Sequence, residues 1–395
     1  MRIKPMLPLM AALCMALSSC SFAEDGNTHS SDEITLTPAA DIYSGADDVI
    51  NAPHSAFRFA DGVTVSGSAD INKLTMTYKK DSEKDYYSRG EAICKAAFGD
   101  SFDKDQCSIV YSDDNKDEIL RFEYKNGGEW AEYCYDNSFM YELYDGAGSV
   151  NFQTDEGESL LENVKVLRAD DDLSAALTLK NGNTTFENYK NVISNTANNS
   201  LSEFVAPLKA EPDTFIAYDA YGQKSIYTHL HFSYCGVPVD YTFTGDIKNR
   251  DNELNGLMSY FMPLDMWTVS CSPDRADAYV ARNIQRFVSS EKIDSLISFK
   301  DAAAILNKEL AKNSRYTFVK CELALCSVHT QKEELTPDEF DMHYDIPVEY
   351  TPYWIFYIEQ DDGDITDLVS ANVYSSVRVN ALTGEIYVLL MNGEM

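Results

Sequence analysis

The sequence predicts an α+β protein made of successive modules, each with one helix packed on a small antiparallel sheet. Three stretches have apolar residues at helical spacing, namely Tyr86–Phe98, Phe186–Val205 and Phe299–Lys312. Each stretch is followed by short alternating segments that are separated by turn-forming residues. The composition is 44% hydrophobic and 12% aromatic, which is typical of a folded chain and not of a disordered one.

The first helix is expected to end near Gly99, and the third has Ala303, Leu306 and Leu310 on one face. A tight hairpin is predicted at Cys235-Gly236. The predicted strands are Cys107–Tyr111, Ile119–Tyr124, Glu132–Tyr135, Thr214–Tyr218, Ser225–Tyr234, Val237–Phe243, Tyr316–Val328, Tyr353–Glu359, Ser376–Val379 and Ile386–Leu390. The order of these elements repeats along the chain, although the sequence itself does not.

These elements divide the chain into five parts. The predicted parts are a signal peptide at 1–19, a flexible acidic tether at 20–50, and α+β modules at 51–150, 151–290 and 291–395. The tether is predicted from its Ser, Asp, Glu, Thr and Ala content and its lack of apolar periodicity.

The N-terminus has the features of an export signal. Arg2 and Lys4 precede the almost wholly apolar run 6–17, which is too short to span a bilayer as a helix. The run ends in Leu17-Ser18-Ser19-Cys20, which resembles the lipobox of bacterial lipoproteins. The resemblance implies cleavage before Cys20, acyl chains on that cysteine, and attachment to the extracytoplasmic face of a cell membrane. The alternative is an ordinary secretory signal that is cut near Ser19 or Ala23.

The net charge argues against two classes of partner. It is −32 for the full sequence, and −34 without residues 1–19, which contain two basic side chains and no acidic one. Binding to phosphate backbones depends on clustered Lys and Arg, so we expect no nucleic-acid partner. Direct adsorption to anionic lipid is disfavoured for the same reason, which leaves the acyl chains on Cys20 as the predicted membrane contact.

Seven cysteines remain after Cys14 and Cys20 are set aside. They are Cys94, Cys107, Cys134, Cys235, Cys271, Cys321 and Cys326. An exported chain can form disulfides, and Cys94 and Cys107 are suited to bridge a helix to the next strand. Seven is an odd number with irregular spacing, so unpaired, buried cysteines are an equally good interpretation.

One family resemblance lies in the last quarter of the chain, at about residues 295–395. The aromatic strand Tyr353-Trp354-Ile355-Phe356 is followed by the hairpin sequence VRVNALTGEI at 377–386. This combination, preceded by a helix, resembles PepSY-type domains and extracytoplasmic regulators of sensor kinases. The long insert at 331–348 departs from the compact family pattern. The segment GVPVDY at 236–241 is faintly similar to a strand of related proteins. The resemblance implies a non-catalytic module that binds or restrains a partner in the cell envelope.

Candidate binding residues follow from the same strand. Tyr353, Trp354 and Phe356 are the candidate binding anchors because of their density, although core packing is the favoured role for at least two of them. His229 and His231 are a weak metal-site candidate, because two imidazoles two residues apart on a strand can chelate a metal, with Cys235 as a third ligand. A solvated or cross-strand polar face is the favoured interpretation of these residues. We therefore predict no metal and no cofactor.

The sequence contains neither a G-x-S-x-G elbow nor an H-E-x-x-H zinc motif. The prediction is therefore a non-enzymatic, membrane-anchored lipoprotein that binds or regulates another cell-envelope protein. The alternative is a ligand- or glycan-binding lipoprotein that uses an aromatic sheet face, since the chain has 25 tyrosines.

Overall fold

The computed structural model describes residues 35–77, 83–111, 119–134, 139–143, 161–167, 176–220, 223–240, 265–282, 285–310, 316–328, 347–359 and 376–389. Over these residues the protein is a mixed α+β structure with much more strand than helix, which confirms the predicted class. The helices are α1 (Ala46–Asn51), α2 (Glu83–Phe98), α3 (Phe186–Val205) and α4 (Phe299–Glu309).

The strands lie between and after these helices. They are β1 (Thr37–Pro38), β2 (Phe57–Phe59), β3 (Asn72–Thr77), β4 (Cys107–Tyr111), β5 (Ile119–Asn126), β6 (Glu129–Cys134), β7 (Phe139–Leu143), β8 (Leu161–Leu167), β9 (Ala176–Leu179), β10 (Gly182–Thr185), β11 (Lys209–Ala220), β12 (Gln223–Tyr234), β13 (Val237–Val239), β14 (Asp265–Ser270), β15 (Ala278–Arg282), β16 (Arg286–Lys292), β17 (Ser295–Leu296), β18 (Tyr316–Val328), β19 (Pro347–Ile358), β20 (Ser376–Asn380) and β21 (Ile386–Leu389).

The strands do not separate into the three predicted modules. β7 of the first predicted module pairs with β15 of the second, and β3 pairs with both β16 and β19. β2 runs parallel to β18 of the third module. The predicted boundaries at 150/151 and 290/291 therefore do not coincide with breaks in strand pairing, and the arrangement of one helix on one sheet per module is not observed.

The N-terminal part of the body is also more ordered than predicted. β1 pairs with β17, and the backbone N–H of Phe299 donates to the carbonyl of Ile42 at 2.9 Å. Ile42 is fully buried, and the ring of Tyr43 packs edge-on against Trp354. The prediction of a flexible tether is therefore wrong for residues 35–50, which pack on the C-terminal sheet. Residues 20–34 lie outside the described ranges.

Two helices show why the sequence folds as it does. In α3, Tyr189, Ile193, Ala197 and Leu201 recur every four residues, and all four are fully buried. In α4, the hydroxyl of Ser298 caps the helix by accepting from the backbone N–H of Asp301 at 3.1 Å. The predicted apolar face of α4 is confirmed at Ala303 and Leu306, whereas Leu310 lies one residue past the end and is half-buried.

Both predicted hairpins are present. Cys235 and Gly236 have φ values of 51° and 77°, which is the geometry of a two-residue hairpin turn between β12 and β13. Between β20 and β21, the side chain of Asn380 accepts hydrogen bonds from the backbone N–H groups of Leu382 and Thr383. Gly384 closes that turn with φ 74°, a backbone conformation that residues with a side chain rarely adopt.

Candidate functional site

The strands of the C-terminal sheet, β18, β19, β20 and β21, bury side chains on both faces. Trp354 and Phe356 point to one face, together with their cross-strand neighbours Leu323, Cys321, Val379 and Val377. We call this the aromatic face. Tyr353, Ile355 and Tyr357 point to the opposite face. Their neighbours there are Ala324, Glu322, Lys320, Asn380, Arg378 and Ser376. We call this second surface the polar face.

The predicted binding anchors all lie in the core. Trp354 is fully buried, packs against Tyr43 and Phe299, and donates its indole N–H to the carbonyl of Ile297 at 2.8 Å. Phe356 is equally buried and stacks on Phe299. Tyr353 lies on the other face, where its hydroxyl accepts from the side-chain amide of Asn380 at 3.0 Å. The three residues thus have no exposed surface with which to contact a partner, and packing explains them.

A buried ion pair lies at the centre of the polar face. Nη1 of Arg378 in β20 is 2.5 Å from Oδ2 of Asp240, which directly follows β13. The side chains of Arg378 and Asp240 are only 1% and 5% exposed. Asp240 is held in place by its own backbone N–H, which donates to the carbonyl of Leu325 at 2.8 Å. The pair therefore reaches across β18 and β19 to join β20 to the end of β13.

The thiol of Cys326 completes this cluster. Its Sγ is 3.7 Å from Oδ2 of Asp240 and 3.7 Å from Nη1 of Arg378, while Nε of Arg378 donates to the hydroxyl of Ser376 at 3.2 Å. We call Asp240, Cys326 and Arg378 the buried charge cluster. It contains one residue from each of the two segments whose motifs stand out in the sequence, GVPVDY and VRVNALTGEI.

The surroundings of the cluster raise the pKa of its arginine and of its cysteine. Burial alone would lower the pKa of the Arg378 guanidinium, but the Asp240 carboxylate outweighs it and raises that pKa above its ordinary value. Burial, reinforced by the neighbouring carboxylate, raises the pKa of the Cys326 thiol well above its usual range. The ion pair links β20 to the end of β13, and the raised pKa of Cys326 favours the protonated thiol beside it.

A second polar contact extends along the same face. The hydroxyl of Tyr357 donates to Oε1 of Glu322 at 2.7 Å, and Nζ of Lys320 lies 2.9 Å from the same oxygen. Burial, followed by the charge of Glu322, raises the pKa of Tyr357 well above its ordinary value. Two acidic and two basic side chains therefore lie on this face, whereas the opposite face carries Trp354, Phe356 and their apolar cross-strand neighbours.

The two histidines that are candidate metal ligands lie in different environments. His229 is buried between Thr214 and Trp267 on the neighbouring strands. His231 is partly exposed, with Nε2 3.7 Å from the carboxylate of Glu211, and Cys235 lies in the hairpin turn. Among the residues that the structure describes, no three His, Cys, Asp or Glu side chains come close enough together to hold a metal ion.

All seven cysteines after residue 20 lie in the described ranges, and none of them forms a disulfide. Cys107 lies close enough to Cys94 for its charge to raise the pKa of the Cys94 thiol, although burial is the larger cause. The structure thus fits the interpretation of unpaired cysteines. The predicted lipidation site, Cys20, lies outside the described residues.

The sequence does not predict the buried charge cluster, although both motifs that contribute residues to it stand out in the sequence. Arg378 stands between Val377 and Val379, so a charged residue lies in a segment whose apolar neighbours predict a buried strand. This is the feature of the sequence that indicates the cluster. A charged residue at such a position is almost always paired when it is buried. Its partner could not be chosen from the sequence, because the chain holds 64 acidic side chains.

Comparison with known proteins assigns no family, since no family model and no curated protein matches the chain. An uncharacterized protein from Eubacterium rectale ATCC 33656 is 14% identical with a TM-score of 0.45, over 83% of this chain and 91% of that one. The Bacillus megaterium YpeB C-terminal domain is 12% identical with a TM-score of 0.30, over 79% and 100%. Both TM-scores are below 0.5, so neither likeness assigns a function.

Proposed function

We propose that the protein is a lipoprotein, anchored to the extracytoplasmic face of a bacterial membrane through Cys20, that binds and thereby regulates another cell-envelope protein. The observation that carries the anchor is the sequence Leu17-Ser18-Ser19-Cys20 after a short apolar run with a basic start. Two or three acyl chains hold a protein firmly at a bilayer, whereas a single chain binds only marginally. None of the described helices is long and apolar enough to cross a membrane.

The surface we assign to the partner is the edge strand β16. Among the described strands, β16 pairs with β3 alone. Residues 288–292 of β16 are all exposed, and Val288, at 55%, is the most exposed large apolar side chain of the described residues. A free strand edge presents a row of backbone donors and acceptors, so its natural occupant is an extended segment of another protein.

The position of Val288 results from a β-bulge. Phe287 pairs with Met76 and Ser289 with Thr75, so Val288 is an extra residue without a cross-strand partner. Val319 has the same origin, because Phe318 pairs with Ile358 and Lys320 with Tyr357. The second valine is 37% exposed but lies in β18, which is flanked by β2 and β19. The chain thus offers two exposed bulge valines, one on a free edge and one inside a sheet.

This pair of valines supplies a matched experiment. A photo-reactive amino acid is placed at position 288 or at position 319 of the full chain, and the protein is irradiated in its own cells. We expect one envelope protein to cross-link from position 288 at least tenfold more than from position 319, because among the described strands β18 is flanked on both sides at Val319 and β16 is paired on one side. The cross-link should be lost in the Cys20→Ala variant, which is not anchored.

Equal cross-linking from both positions, or from neither, would contradict the assignment of β16 as the binding surface. Cross-linking from position 288 that survives in the Cys20→Ala variant would contradict the need for the anchor. The two parts of the proposal are therefore tested separately.

A further inference from the structure

A cleft with a volume of about 430 Å³ lies between helix α3 and strands β11 and β12. This volume is within the range of known small-molecule sites. Six of its eight lining residues have polar side chains, and none of them belongs to the buried charge cluster or to β16. The lining residues are Lys190, Ser194, Asn198, Lys209, Ala210, Glu211, Pro212 and His231.

The helical wall of the cleft is set by spacing. Lys190, Ser194 and Asn198 follow one another at four-residue intervals and therefore share one face of α3. Asn198 fixes this wall to the sheet: its amide nitrogen donates to the carbonyl of Ala210 at 2.9 Å, and its oxygen accepts from the N–H of Ala210 at 2.9 Å. This double hydrogen bond makes the base of the cleft preformed.

The strand wall carries charge. Glu211 in β11 is the cross-strand partner of His231 in β12, and their side chains are 3.7 Å apart. Lys209 lies two residues before Glu211 and is exposed, as is Lys190 on the helix. Within the described part of the chain, neither lysine side chain forms an ion pair or a hydrogen bond, whereas the carboxylate of Glu211 has His231 beside it.

The chain has 64 acidic side chains and only 32 lysines and arginines, so its overall charge repels anions. The two ammonium groups at this cleft, by contrast, attract an anion.

We propose that this cleft binds a small anionic ligand that carries a carboxylate or phosphate group together with hydroxyls, such as a sugar acid or a sugar phosphate. Lys190 and Lys209 hold the anionic group. Ser194, His231 and Glu211 line the cleft beside the two lysines and carry polar groups that can contact the ligand's hydroxyls. The inference does not depend on the lipid anchor or on the β16 edge, because it concerns a different surface.

The test uses the full chain in detergent and calorimetric titration with glucuronate, glucose 6-phosphate and glucose. We expect at least one of the two anions to bind about tenfold or more tightly than glucose, because hydrogen bonds to charged groups are the stronger ones. Binding of that anion should weaken as sodium chloride is added, since salt screens partly exposed charges.

The double variant Lys190→Gln/Lys209→Gln should weaken binding of that anion by about tenfold or more. The matched control is Lys180→Gln/Lys224→Gln, which removes the same total charge from two exposed lysines outside the lining of the cleft. This control should bind as the wild type does. Absence of binding by both anions, equal binding of glucose, or equal weakening in the two double variants would overturn the proposal.

Discussion

The aromatic face of the C-terminal sheet and the part of the polar face around Arg378 and Asp240 are both buried, but different interactions hold them. On the aromatic face, Trp354 and Phe356 pack against α4 and the N-terminal segment, and the stabilisation accumulates with each apolar contact. On the polar face, Arg378 and Asp240 pair with almost no exposure to water. Removing two charges from water costs several kcal/mol per ion, and their mutual attraction offsets this only while the pair is complete.

The difference predicts two kinds of response to substitution. The aromatic face should lose stability gradually, in proportion to the volume and contacts removed. The polar face should respond sharply to loss of one partner and much less to loss of both, since an unpaired buried charge is the costly state.

The largest effect is expected for Arg378→Met. The substitution leaves the Asp240 carboxylate buried without its cation, so the free energy of unfolding should fall by about 3–5 kcal/mol. Denaturant titration followed by circular dichroism measures this change. The double variant Arg378→Met/Asp240→Leu should be more stable than Arg378→Met alone. If the losses of the two single variants simply add in the double variant, the ion pair does not couple these positions.

A smaller effect is expected on the aromatic face for Trp354→Phe. The variant removes the hydrogen bond to the carbonyl of Ile297 and part of a fully buried ring, which should cost roughly 1–3 kcal/mol. Thermal unfolding at neutral pH measures the loss. A decrease as large as that of Arg378→Met would remove the distinction between the two faces.

Alkaline pH should weaken the polar face through Tyr353. Burial, followed by proximity to Cys326, raises the pKa of Tyr353 from 10.0 to about 12. The folded state therefore holds this proton more tightly, and the associated stability is complete below pH 10 and is lost as the pH rises to about 12. Tyr353→Phe should lose less stability than the wild type between pH 10 and 12. An identical decline in both proteins would contradict the shift.

The smallest effect is expected from the chemical labelling of two cysteines, Cys326 and Cys235. Cys326 is buried and its pKa is raised, whereas Cys235 is exposed in the β12–β13 turn. At pH 8, iodoacetamide should modify Cys235 in the native protein and leave Cys326 unmodified until denaturant is added, as peptide mass spectrometry can show. Labelling of Cys326 at a rate similar to Cys235 in the native protein would mean that the polar face opens readily.

Elements with strong local signals could be predicted from the sequence. The bounds predicted for α3 and β18 are those observed, because each has a clear period over more than ten residues. The modules could not be predicted, since strand pairs such as β7–β15 and β3–β19 join residues far apart in the chain. The sequence predicts a tether at residues 35–50 because their few apolar side chains, such as Ile42, show no regular spacing.

The candidate site shows the same limit. The density of aromatic residues in one strand singles out Trp354 and Phe356 in the sequence. Tertiary packing, however, decides whether a strand face contacts solvent or a helix. Arg378 and Asp240 are 138 positions apart, and nothing local joins them. Val288 was missed because a β-bulge depends on the register between two strands and not on the sequence of one.

The proposed function requires acyl chains on Cys20 that hold the protein at a membrane. The mass of the N-terminal peptide of the protein purified from its own cells tests this requirement. We expect a peptide that begins at Cys20 and carries a diacylglycerol group on its sulfur. A peptide that begins at Cys20 or further along with an unmodified mass, or one that retains residues 1–19, would contradict it.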